Sequence, residues 1–93
     1  MGYSVEFRPA AFRSFKELPA REQVRVSRAI DKLRLNPFSP SCEKLQGTDY
    51  WRIRAGNYRV VYTVQQSSTT QEPELAIVVI IRIGHRPEVY RHL

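Results

Sequence analysis

The sequence predicts a small α+β domain of order β-α-α-β-β-β, with a mostly antiparallel sheet and two helices packed on one of its faces. Apolar residues recur at helical spacing between residues 9 and 35. Between residues 50 and 83 they alternate or run on, as strands do. The pair Gly56-Asn57 divides the two alternating stretches like a hairpin turn.

Tyr3, Val5 and Phe7 alternate with polar residues, a first strand that Pro9 ends while suiting the first turn of a helix. Ala11, Phe15 and Leu18 lie at i, i+4 and i+7, so residues 9–18 read as a short amphipathic helix before Pro19. A longer helix spans residues 20–35, with Val26, Ile30 and Leu33 as its apolar stripe, and Asn36-Pro37 stops it. Residues 38–47, with Ser39, Pro40 and Ser41, read as a loop. Residues 50–55 and 58–64 form the alternating hairpin, and residues 65–73 read as a polar turn. Residues 75–83 are nearly unbroken and β-branched, as in a strand buried on both faces, and Gly84 leads into a short polar tail. No repeat or linker divides the chain, so residues 1–93 read as a single domain.

A hydrophobic share of 42% excludes a disordered chain. The formal net charge is +6, and twelve of the fifteen basic residues are arginine. Arginine keeps its charge and grips phosphate with two donors, so nucleic acid is the favoured partner and an acidic protein the second. Cys42 is the sole cysteine, so neither an internal disulfide nor a cysteine-built zinc cluster is available. The polar start and the short apolar runs lead us to expect no secretory leader, no membrane span and a cytoplasmic location.

Two stretches carry chemistry. If Gly56-Asn57 is a two-residue loop, Arg54 lies opposite Arg59 and Arg52 points to the same face. Like charges facing each other weaken a sheet, and a broken local rule often marks a site. A three-residue loop, Ala55 to Asn57, would instead turn Arg59 away. Beyond Gly84, His85 belongs to the residue type suited to proton transfer near neutral pH, Arg86 can bind phosphate, and Tyr90 offers a hydroxyl and a flat ring. His92 reads as incidental. Arg21, Arg25, Arg28 and Lys32 form a basic stripe on the longer helix, either a solvated face or a surface for RNA backbone. Trp51 and Phe38 read as core or partner contacts rather than base-stacking platforms.

The pattern Arg52-x-Arg54, Gly56-Asn57-Tyr58-Arg59-Val60-Val61-Tyr62 and Gly84-His85-Arg86-x-x-Val89-Tyr90 resembles the RelE toxin family. The opening Tyr3-x-Val5-x-Phe7, Leu33-x-x-Asn36-Pro37 and Leu45-x-Gly47 fit it too, so the resemblance covers essentially the whole chain. It implies a sheet with helices packed against it and a basic concave face that enters the ribosomal decoding site and cuts messenger RNA. The adjacent 2′-hydroxyl attacks the phosphate and leaves a 2′,3′-cyclic end, with no metal or other cofactor required. On this resemblance Arg59 and Arg86 would grip the scissile phosphate, and Tyr90 would stack on or orient the nucleotide. Arg52 and Arg54 stand where better-studied members tend to carry lysines. Arginine is always protonated, so these two can stabilise charge but cannot act as a base. His85, or a Tyr90 whose ordinary pKa of about 10 is pulled down, is left as the proton-transfer group.

The resemblance also implies a small acidic antitoxin, with operator DNA bound only through it, and the ribosome with its mRNA and rRNA as target. Two alternatives stand beside this reading. A ParE-like inhibitor of DNA gyrase would share the fold, and a non-catalytic RNA-binding module would share the charge.

Overall fold

The computed structural model of the protein describes residues 2–67, 75–85, 87–91 and 93. The chain runs β1 (Ser4–Phe7), α1 (Pro9–Glu17), α2 (Ala20–Leu35), β2 (Cys42–Lys44), β3 (Trp51–Ala55), β4 (Tyr58–Ser67), β5 (Leu75–Gly84) and a C-terminal 3₁₀ turn (Pro87–Tyr90). The five strands form one sheet in the order β1-β5-β4-β3-β2. Only the β1–β5 pair is parallel, with Val5 beside Val78. The α+β class is as the sequence predicts.

Proline sets the helix boundaries. Pro9 takes the first helical position of α1, and Pro19 stands immediately before α2. Gln23 then ties the two helices together, its Nε2 donating to the carbonyls of Phe15 at 3.2 Å and Lys16 at 3.1 Å. These carbonyls sit in the last turn of α1, where that of Phe15 also accepts from the Leu18 amide at 3.2 Å.

The core lies between the helices and one sheet face. Ala11 from α1 and Val26, Ala29, Ile30 and Leu33 from α2 meet Ile53, Val60, Tyr62, Val78, Ile80 and Ile83. Tyr62 is fully buried, and its hydroxyl donates to the Pro37 carbonyl at 2.5 Å. That bond pins the exit of α2 to the centre of the sheet. Burial, with a smaller contribution from Cys42, pushes the Tyr62 phenol well above its ordinary value of 10.0. The stability this shift contributes is therefore complete below pH 10 and is lost as pH rises further. Tyr62→Phe is expected to cost about 1–3 kcal/mol at neutral pH, because the buried carbonyl loses its donor. It should also flatten the alkaline fall in stability, which urea denaturation across pH 7–11 would measure.

Three local readings of the sequence need correction. Residues 38–47 are not wholly loop: Cys42, Glu43 and Lys44 pair with Ile53, Arg52 and Trp51 as an edge strand. The polar turn read at residues 65–73 begins later, because Gln65, Gln66 and Ser67 continue β4 opposite Ile77, Ala76 and Leu75. Its remainder, residues 68–73, lies outside the described residues. Backbone pairing overrides weak side-chain preference at both places. Over its described side chains, residues 76–83, the apolar run is buried only at Val78, Val79 and Ile80 and, on the core side, at Ile83.

Among the described residues, no helix is long and apolar enough to cross a membrane.

Candidate active site on the open sheet face

The two-residue loop is the one formed. Arg54 pairs with Arg59 and Ala55 with Tyr58, across a turn whose Gly56 has φ of 62°. Glycine adopts this left-handed conformation without strain. Ile53, Ala55, Val60 and Tyr62 point into the core, so alternation sends Arg52, Arg54 and Arg59 to the face away from the helices.

A bulge adds a fourth arginine to that face. Val61 pairs with Arg82, but its neighbour Tyr62 pairs with Ile80, so Ile81 has no opposite residue. One inserted residue reverses the alternation. Val78 and Ile80 face the core, as does Ile83 beyond the bulge, while Arg82 between them is aimed outward. Two rows result across β3, β4 and β5: Arg52, Val61, Arg82 and Arg54, Arg59, Gly84.

Each arginine has different company. Arg52 forms an ion pair with Glu43 on the edge strand. Arg59 donates through Nη1 to the His85 carbonyl at 3.1 Å, and its guanidinium carbon lies 5.8 Å from the centre of the Tyr90 ring. Arg82 donates through Nη1 to the carbonyls of Val89, at 3.3 Å, and Arg91. Arg54 is exposed and forms no hydrogen bond or ion pair among the described residues. Its charge is available to an incoming anion.

Arg54, Asn57, Tyr58, Arg59 and His85 line an open pocket of about 370 Å³ at the hairpin end of the sheet. His85 is exposed on its rim, with its ring edge-on to Tyr58 at 5.4 Å. The C-terminal tail, read from sequence as a polar extension, folds back on the sheet. Val89 is buried, and the Gly84 backbone allows its close approach: a Cβ at Gly84 would stand 3.3 Å from Val89 Cγ2.

The sequence-predicted site residues separate accordingly. Arg54, Arg59, His85 and Tyr90 gather at the pocket, with Arg52 one row away. Arg86 and His92 lie outside the described residues. Of the stripe on α2, Arg21, Arg28 and Lys32 are exposed and do not line the pocket, whereas the Arg25 guanidinium packs against Gly56 at its edge. Trp51 packs against the core, with Phe38 edge-on to it at 5.1 Å. Sequence reasoning passed over Arg82, although it is the one charge in the apolar run 75–83.

Cations gathered on the open face of a small helix-backed sheet suit anion recognition, the architecture of the protein toxins of type II toxin–antitoxin systems. Comparison with known proteins agrees. The family described as "ParE toxin of type II toxin-antitoxin system, parDE" matches residues 5–90. Toxin RelG of Mycobacterium tuberculosis is 34% identical over 95 residues, covering 98% of this chain and 99% of that protein. Among solved structures, the toxin–antitoxin complex RelBE2 of M. tuberculosis matches with a TM-score of 0.74 and 27% identity, over 92% of this chain and 100% of the matched one. A free, arginine-substituted form of the E. coli toxin RelE shares the fold, with a TM-score of 0.72 at 23% identity over 97% of this chain and 92% of that one. The chain belongs to the RelE/ParE superfamily of type II toxins, and within it to the RelE type.

Proposed function

We propose that this toxin is a ribosome-dependent endoribonuclease that cuts messenger RNA in the decoding site and thereby stops translation. The observation that carries the reading is the meeting of Arg54 and Arg59 on adjacent strands beside His85, with the Tyr90 ring against Arg59. Two arginines kept at paired positions on adjacent strands, against the rule for like charges, suit a pocket that waits for a phosphate.

In the proposed reaction the 2′-oxygen forms a bond to the adjacent phosphorus while the bond to the 5′-oxygen breaks. A base takes the 2′-hydroxyl proton, and an acid protonates the departing 5′-oxygen. Arg54 and Arg59 balance the charge that grows on the phosphoryl oxygens. Arg86 is assigned the same task from its sequence motif alone. His85 stands on the pocket rim, where its ring can exchange a proton with either oxygen. Tyr90 supplies a ring for the nucleotide. Arg52 contributes to the field from the next row, and the exposed stripe Arg21, Arg25, Arg28 and Lys32 suits ribosomal RNA backbone. No step of this scheme calls for a metal.

The partner that would restrain such an activity in the cytoplasm is a cognate antitoxin, small and acidic, matched to a toxin of net charge +6. Operator DNA would be reached only through it. The solved relatives include toxin–antitoxin complexes from M. tuberculosis and Pyrococcus horikoshii, which supports this reading.

The ParE name of the matching family favours a second reading, inhibition of DNA gyrase. One pair of assays separates the two. In a purified translation system the protein should yield messenger fragments ending in 2′,3′-cyclic phosphate only when ribosomes are present. Intact messenger together with arrested supercoiling by gyrase would replace the nuclease reading with the second one. RNA binding without either effect would leave a non-catalytic module.

A further inference from the structure

We propose that Arg82 is a positioning residue: it fixes the backbone on both sides of Tyr90 and so aims the Tyr90 ring at Arg59. Its consequence for cleavage rests on the nuclease reading above, whereas its consequence for the C-terminal turn does not.

The 3₁₀ turn Pro87–Tyr90 has little stability of its own. It is four residues long, and short 3₁₀ segments have poor hydrogen-bond geometry. The Arg91 amide closes it by donating to the Glu88 carbonyl at 3.0 Å. Among the described residues, no backbone amide donates to the carbonyls that follow.

Arg82 supplies donors to those carbonyls. Its Nη1 donates to Val89 and to Arg91, the residues immediately before and after Tyr90. Holding both neighbouring carbonyls restricts the backbone torsions of Tyr90 itself. Val89 anchors the same segment by packing over Gly84. With the backbone held, the Tyr90 ring rests 5.8 Å from the Arg59 guanidinium, which is fixed on its other side by the His85 carbonyl. Arg82 therefore reaches the phosphate pocket through Tyr90 and Arg59, and it does not line that pocket.

The bulge at Ile81 supports a dedicated role. Were Ile81 paired regularly instead of bulged, Arg82 would share the core face of β5 with Val78 and Ile80, where a charge is costly. The strand departs from regular pairing at the place where one residue more turns this guanidinium towards the tail.

Arg82→Leu keeps the apolar character of β5 and tests the idea. Hydrogen exchange at the Arg91 amide should quicken by about tenfold or more, while amides in the middle of β4 keep their protection. Nuclear Overhauser contacts between the Tyr90 ring and the Arg59 side chain should weaken. The cleavage kcat should fall by about tenfold with KM nearly unchanged, as when a group is misaimed rather than removed. Adding Tyr90→Ala to Arg82→Leu should cost no more than Tyr90→Ala alone.

Unchanged exchange at Arg91 and unchanged Tyr90–Arg59 contacts would overturn the proposal, whatever happens to cleavage. Losses that multiply in the double variant would overturn it too, because Arg82 would then act on RNA independently of Tyr90. If the wild-type protein cuts no messenger, the nuclease reading fails, and the exchange and contact measurements still decide whether Arg82 holds the turn.

Discussion

Arg59→Ala is expected to slow messenger cleavage by about 10²–10³-fold, the effect of removing one donor that stabilises transition-state charge. Arg59 lies on the central strand β4, half-buried, with its guanidinium fixed between the His85 carbonyl and the Tyr90 ring. Such a donor needs little reorganisation when charge develops on the phosphate, and this is why its loss should appear in kcat rather than in binding. Stability should change little, because the side chain lies on the open face rather than in the main core. Arg59→Lys should recover part of the rate, since an ammonium supplies the charge without the two-pronged geometry. Single-turnover cutting on programmed ribosomes would measure all of this. A loss below about tenfold in a folded Arg59→Ala protein would remove Arg59 from the catalytic machinery.

The largest expected effect on stability falls on the other face of the sheet. Leu33→Ala should destabilise the domain by about 2–5 kcal/mol, from lost burial plus the cavity left behind. Leu33 is fully buried on α2 in the core shared with Ile53 and Tyr62. A domain of this size has only about 5–14 kcal/mol in total, so the variant would stand near the limit of folding. Denaturation in urea should give a lower midpoint with the same slope. A cost under about 1 kcal/mol would mean that the helix layer contributes much less to stability than its burial implies.

Much of the fold is legible along the chain. The stripe Val26, Ile30, Leu33, bounded by Pro19 and Asn36-Pro37, marks α2 at both ends. Gly56-Asn57 between alternating stretches marks the hairpin, and the two-residue loop formed there pairs Arg54 with Arg59. Less is legible where pairing, rather than pattern, makes the structure. Cys42–Lys44 is too short to carry an alternation, and it is a strand because β3 offers its edge. Gln65 to Ser67 read as a turn by composition, yet the partner strand extends alongside them. At the site, the gathering of Arg54, Arg59, His85 and Tyr90 follows the motifs, whereas the stripe on α2 meets the pocket only through Arg25.

The sequence by itself determined both helices, four of the five strands in their order and the α+β class, and it pointed to opposed arginines in the hairpin. Those features are local, since side-chain period and turn chemistry are written over a few residues. Only the tertiary structure decided that β1 runs parallel to β5, that a bulge at Ile81 turns Arg82 out of the core, and that the tail returns to lay Tyr90 on Arg59. These depend on backbone donors and acceptors meeting across long stretches of chain. Every residue except proline offers the same amide and carbonyl, so side-chain identity leaves little mark of which ones will pair.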